Sequence, residues 1–79
     1  MKIHVLGPGC MKCVKLYDEV QKVLESAKIN AQVEKVEKID EIMKFAVAMT
    51  PALVIDGEVK CAGRVPTRSE IEEWVSKKS

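Results

Sequence analysis

The sequence predicts one α/β domain spanning residues 1–79, with the element order β-α-β-α-β-β-α. Its four strands form a mixed sheet in the order 2-1-3-4, with helices on both faces. Three observations carry this. A short β-branched segment gives way at Gly7-Pro8-Gly9 to apolar residues at helical spacing. A continuous apolar run, Ala52-Leu53-Val54-Ile55, lies between Thr50-Pro51 and Asp56-Gly57. A capping-box pattern, Thr67-Arg68-Ser69-Glu70, opens a last amphipathic segment.

The first strand, Lys2 to Leu6, ends in the Gly-Pro-Gly turn. From Cys10 the period changes: Cys13, Leu16, Tyr17, Val20, Val23, Leu24 and Ala27 share one face of a helix of about four turns. Ile29, Ala31 and Val33 alternate with polar residues as a second strand, which breaks at Lys35-Val36. Ile39, Ile42, Met43 and Ala46 suggest a shorter helix that must stop before Thr50-Pro51, since the residue preceding proline avoids helical geometry. Ala52 to Ile55 reads as a strand covered on both faces. Asp56-Gly57 signals a tight hairpin into a return strand, Glu58 to Ala62. Pro66 precedes the capping box of the last helix, with Ile71, Trp74 and Val75 facing inward. Strands flanking the first helix are parallel neighbours. The doubly covered third strand lies beside the first, with the second helix supplying the crossover.

Composition narrows the function. The chain has 79 residues, 47% of them apolar and 32% charged, an ordinary globular balance for one small domain. A net charge of +1 and only three aromatic residues (Tyr17, Phe45, Trp74) argue against nucleic-acid binding. No apolar run reaches the length of a membrane span. His4 and the Gly-Pro-Gly turn interrupt any signal-peptide core, so a soluble, cytosolic protein is expected. There, a CxxC pair is a catalytic or metal-binding feature rather than a permanent disulfide. By itself Cys10-Met11-Lys12-Cys13 leaves three readings open: a redox couple, half a metal site, or two small hydrophobes.

Cys10-Met11-Lys12-Cys13 after the first strand, Thr50-Pro51 before the third and the Asp56-Gly57 hairpin together resemble the thioredoxin and glutaredoxin superfamily, over essentially the whole chain. In size the chain is similar to the minimal, glutaredoxin-sized thioredoxins of archaea and bacteria. The resemblance implies a thioredoxin-like fold and a thiol–disulfide oxidoreductase without a cofactor. Its substrates would be disulfide-containing proteins, and a reductase or a low-molecular-weight thiol would supply electrons. A monomer is expected.

The residue types suit that chemistry. A thiolate attacks a disulfide, and a cysteine in the first turn of a helix meets unpaired N–H groups and the positive end of the helix dipole. Lys12 and Lys15 add positive charge, so a depressed Cys10 pKa is expected. Cys13, one turn on, begins the buried stripe and is the more shielded thiol. Cys10 then forms the mixed disulfide and Cys13 resolves it. The resemblance further implies that Pro51 is cis and packs against the pair. The backbone of Thr50, with Met49 nearby, would contact an extended substrate in strand-like fashion. Met11, Lys12 and Gly63 complete the substrate-binding and site-shaping set.

The chain departs from the family pattern at several places. Gly9 stands where thioredoxins usually carry tryptophan, and neither Met11 nor Lys12 is the proline common inside the motif. His4, six residues before Cys10, occupies the place where many thioredoxins bury an acid, and is a candidate proton relay as well as a packed strand residue. Ala62-Gly63 replaces the glycine pair of glutaredoxins, which ranks glutathione-dependent activity below thioredoxin-like action, although Arg64 could meet glutathione's carboxylates. The alternative is a small module using the CxxC pair for Cu(I) or zinc. The further ligands available to it are Cys61 and His4, about 10 Å apart across two strands. Cys61 is expected to be a small buried or edge hydrophobe sharing a face with Val59. The run Glu34 to Lys44 is expected to face solvent.

Overall fold

β1, Lys2–Leu6, lies inside the sheet, with β2, Gln32–Val36, parallel on one side and β3, Ala52–Ile55, antiparallel on the other. β4, Glu58–Ala62, pairs antiparallel with β3, giving the order β2-β1-β3-β4 expected from the sequence. Three helices complete the chain: α1, Met11–Ser26, α2, Ile39–Met43, and α3, Arg68–Lys78. This computed structural model describes residues 1–9 and 11–78.

Alternate residues of β1 feed two unequal cores. Ile3 and Val5 join Leu53, Ile55 and Cys61 beneath α1 and α3, where Leu16, Val20, Ile71 and Val75 are fully covered. Trp74 and Tyr17 pack at the margin of this core. Leu6 turns to the other face and meets Val36, Ala52, Val54 and Ile42, with Phe45 and Val47 at the edge. All four β3 residues are buried, as their apolar run requires.

α1 ends in a Schellman cap. Ile29 N–H donates to the Leu24 carbonyl at 2.9 Å and Lys28 N–H to that of Glu25 at 3.3 Å, with Lys28 left-handed at φ 55°. This corrects the expected second strand. Ile29 spends its N–H on the helix end, so the chain joins the sheet only at Gln32, whose N–H donates to the Met1 carbonyl at 3.0 Å. The strand then continues through Val36. The run of alternating apolar residues ends there because Val36 is buried in the opposite, smaller core.

α2 also differs. It has five residues, and of the expected inward set only Ile42 is buried; Ile39 is 65% and Met43 70% exposed. The segment turns left-handed at Ala46 (φ 58°), and Phe45 covers the sheet instead. Five helical residues rise about 7.5 Å, too little to carry the chain back along the sheet. β3 therefore starts at the end where β2 stopped, and runs antiparallel to β1 rather than as a parallel crossover.

The Asp56-Gly57 turn has positive φ at both residues, 49° and 83°, the signature of a type I′ hairpin. A bulge between Leu53 and Val54 pairs Val54 with Val59 but Leu53 with Cys61. Cys61 and Val59 therefore lie on opposite faces, whereas simple alternation places them on one. Cys61 enters the large core, and its thiol donates to the Arg64 carbonyl at 3.5 Å.

The capping box forms as read. Thr67 N–H donates to Glu70 Oε1 at 3.0 Å, and Glu70 N–H to Thr67 Oγ1 at 3.2 Å. Arg64 adds a bidentate pair to the same carboxylate at 2.9 and 2.8 Å. The Arg64 hydrogen bonds, with those of Thr67, hold the Glu70 carboxyl down at about 2. Arg68 pairs with Glu19, tying α3 to α1.

Two outcomes are expected. Lys28→Gly relieves a left-handed lysine and should stabilise the protein by about 1 kcal/mol in urea titration; an unchanged midpoint would contradict the cap assignment. Glu70→Gln should lower the thermal midpoint at pH 7. A carboxyl with folded pKa about 2 against an ordinary 4.5 contributes above pH 4.5, and that contribution is lost as pH falls through 2. The gap between variant and wild type should therefore close in acid.

Candidate active site

The sheet register gathers one set of residues at a single end. Leu6 of β1 pairs with Val36 of β2 and with Ala52 of β3. The residues next in chain, Gly7, Glu37 and Pro51, therefore converge. Ala62 pairs with Ala52, and beyond it Gly63 N–H donates to the Pro51 carbonyl at 2.8 Å. Gly7 N–H extends the ladder to the Val36 carbonyl at 2.9 Å.

α1 starts over this end, and Cys13 is the first residue of its buried stripe, 5% exposed. A Cβ placed on Gly7 would fall 2.1 Å from Cys13 Sγ, with Pro51 Cα at 4.0 Å. The sulfur thus rests on bare backbone at the end of β1, and Pro51 borders the same vacant Cβ position. The Thr50–Pro51 peptide is cis; Pro51 is fully buried and Thr50 exposed. Gly63 has φ 84°, and a Cβ there would meet Met49 Sδ and Cε at 3.1 Å, so this methionine lies across Gly63. Cys10 lies outside the described residues.

A thioredoxin domain model matches residues 1–76. The chain belongs to the thioredoxin family. It is 34% identical over 76 residues to a thioredoxin of Methanothermobacter thermautotrophicus, covering 96% of this chain and 99% of that one. It is 35% identical over 71 residues to a thioredoxin of Methanocaldococcus jannaschii, covering 90% and 81% respectively. The thioredoxin fold expected from the sequence is confirmed, and the relatives support a thioredoxin-like redox function. No helix among the described residues is long and apolar enough to cross a membrane.

In this chain the other expected site residues fall in different places. Met11 (90% exposed) and Lys12 point outward from the first turn of α1. His4 is not brought to Cys13. It faces the α2 side of the sheet, its ring 4.9 Å from that of Phe45 and its Nε2 4.0 Å from Glu34 Oε2. Its Nδ1 is buried without a hydrogen-bond partner. Cys61 faces the α1 side, so His4 and Cys61 lie on opposite faces and cannot ligate one ion together. Among the described residues no group of three or more His, Cys, Asp or Glu could hold a metal.

Two concave features flank the site. Gly7, Gly9, Cys13, Val14, Lys35 and Glu37 line a cleft of about 20 Å³. The Lys35 ammonium lies 4.4 Å from the centre of the Tyr17 ring. On the other side, Pro8, Ile39, Met43, Met49 and Thr50 line an open, largely apolar groove of about 200 Å³. The charged residues of the run Glu34 to Lys44 are exposed, as expected. Val36 and Ile42 are core, and Glu37 borders the cleft with Cys13. A signal for Glu37 exists in the sequence: it follows the last residue of a strand parallel to β1, hence sits level with Gly7.

Gly7→Ala should destabilise the protein by about 1–3 kcal/mol, because the new methyl and the Cys13 sulfur claim one position. Thiol alkylation after reduction should also show Cys13 more accessible. Wild-type stability together with wild-type alkylation would contradict the contact.

Proposed function

We propose that the chain reduces protein disulfides through a Cys10/Cys13 dithiol–disulfide cycle. The observation that carries this reading is the convergence of buried Cys13, Gly7 and Pro51 at one end of the sheet. A thiol shielded by backbone is suited to resolve a mixed disulfide rather than to start one. Cys10 precedes α1 in the chain, and the first turn of α1 carries no acidic residue. The helix dipole and Lys12 therefore favour its thiolate.

Cys10 attacks a substrate sulfur and expels the other as a thiolate. Cys13 then attacks Cys10, releasing the second substrate thiolate and leaving the Cys10–Cys13 disulfide. A reductase or a low-molecular-weight thiol returns the pair to the dithiol. Thr50 and Pro51 offer an extended backbone edge to the substrate, and Gly63 keeps it uncovered but for Met49. Met43 and Met49, with Ile39, give that edge soft apolar walls that adapt to varied sequences. The protein acts as a cytoplasmic monomer in this scheme.

Insulin reduction with dithiothreitol as electron source tests the reading. Cys10→Ser should abolish turnover above the dithiothreitol background, and wild-type rates in that variant would sink it. Cys13→Ser should accumulate a mixed disulfide with insulin chains, visible by mass spectrometry without reductant. Failure to trap one would remove Cys13 as the resolving thiol.

A further inference from the structure

The resolving step needs a place for the Cys13 proton. Cys13 is buried against Gly7, so water cannot take the proton directly from bulk. His4, the acid–base group singled out from the sequence, faces the other side of the sheet. The cleft beside Cys13 supplies another route. Its volume of about 20 Å³ admits one water molecule. Its ionisable walls are Cys13 from α1 and, from β2 and the residue after it, Lys35 and Glu37. Val14 and the glycines of the turn carry no charge. The Lys35 ammonium is drawn over Tyr17, 4.4 Å from the ring centre. Glu37 Oε2, in contrast, is the nearest atom to a Cβ placed on Gly9, at 3.2 Å. The carboxylate thus lies close against the bare backbone of the turn that leads into the CxxC motif. Among the described residues, no hydrogen bond or ion pair engages that carboxylate.

We propose that Glu37 is the proton acceptor for Cys13 during resolution of the mixed disulfide, acting through the one-water cleft. The inference rests on the dithiol cycle proposed above. Cys13 S–H passes its proton through the cleft to the Glu37 carboxylate. The thiolate attacks Cys10 Sγ, the Cys10–Cys13 bond forms and the Cys10–substrate bond breaks. The departing substrate thiolate takes a proton from the Glu37 carboxyl or from solvent. Two thiols are oxidised to one disulfide as one substrate disulfide becomes two thiols, so no further oxidant is required. Glu37 is exposed at the mouth of the cleft, which lets it exchange the proton with solvent between turnovers.

The test is single-turnover reaction of the reduced protein with a symmetric chromogenic aromatic disulfide. The first aryl thiolate released reports attack by Cys10, and the second reports resolution by Cys13. Glu37→Gln should leave the first release unchanged and slow the second roughly 100-fold at pH 7. That deficit should shrink as pH rises and hydroxide replaces the carboxylate. Glu37→Asp should recover most of the rate. A second release in Glu37→Gln as fast as wild type would overturn the proposal. So would a faster one, since loss of a negative charge that acted only through its field would favour the thiolate. Circular dichroism confirms that the variants fold. If wild-type protein releases only one equivalent, the dithiol cycle itself fails and this proposal with it. Two equivalents from both wild type and Glu37→Gln at equal rates leave the cycle standing and remove Glu37 alone.

Discussion

The contact between the Cys13 sulfur and the bare backbone of Gly7 governs the candidate-site end of this molecule. A cysteine on a helix can be buried only if the surface beneath it leaves room, and here that surface is the last turn of β1. With no Cβ at Gly7, α1 settles close to the sheet and its first buried position becomes a thiol. Leucine or valine there would bury more apolar area but would need the space that the glycine concedes to a sulfur. The same glycine lies beside Pro51, so one missing side chain brings together elements distant in sequence.

The unequal cores explain why chemistry is compatible with stability in so short a chain. Under α1 and α3 the packing is dense, with Leu16, Val20, Ile71 and Val75 fully covered, and it extends to the end of the sheet away from the cysteines. The α2 side is thinner: five buried residues, a single helical turn and a bit more, and a histidine with one unsatisfied nitrogen. Such a layer gives little cohesion and leaves Ile39, Met43 and Met49 exposed beside Thr50. Local opening of that layer would cost little compared with unfolding the larger core.

The element order and strand order were legible because each strand announces its own environment. Ala52 to Ile55 is apolar throughout and is buried throughout; Ile3 and Val5 alternate and face one core. The buried partner of the CxxC motif was legible from helical periodicity. What escaped reading depended on hydrogen bonds that leave no compositional mark. Lys28 holds the left-handed position usually given to glycine, so the helix end passed unnoticed and the second strand was placed too early. The Leu53/Val54 bulge reversed the facing of Cys61 relative to Val59, which no alternation rule anticipates. Glu37 looked like one charge among many because its neighbours are brought to it by a register, not by sequence.

Among the described residues, the candidate site groups Cys13, Pro51 and Gly63 lie at the strand ends marked by Leu6, Val36, Ala52 and Ala62, while the Asp56-Gly57 hairpin turn and the Lys28 cap occupy the opposite pole. Five residues of strand separate the two poles by about 17 Å. The I′ turn is solvent-exposed and held from below by the Asp56 carboxylate, which accepts from Lys2 N–H at 2.8 Å. A cargo, surface or second protein joined through that turn would be carried behind the sheet. The end that carries Thr50 and Pro51 would still face outward, as the proposed chemistry requires.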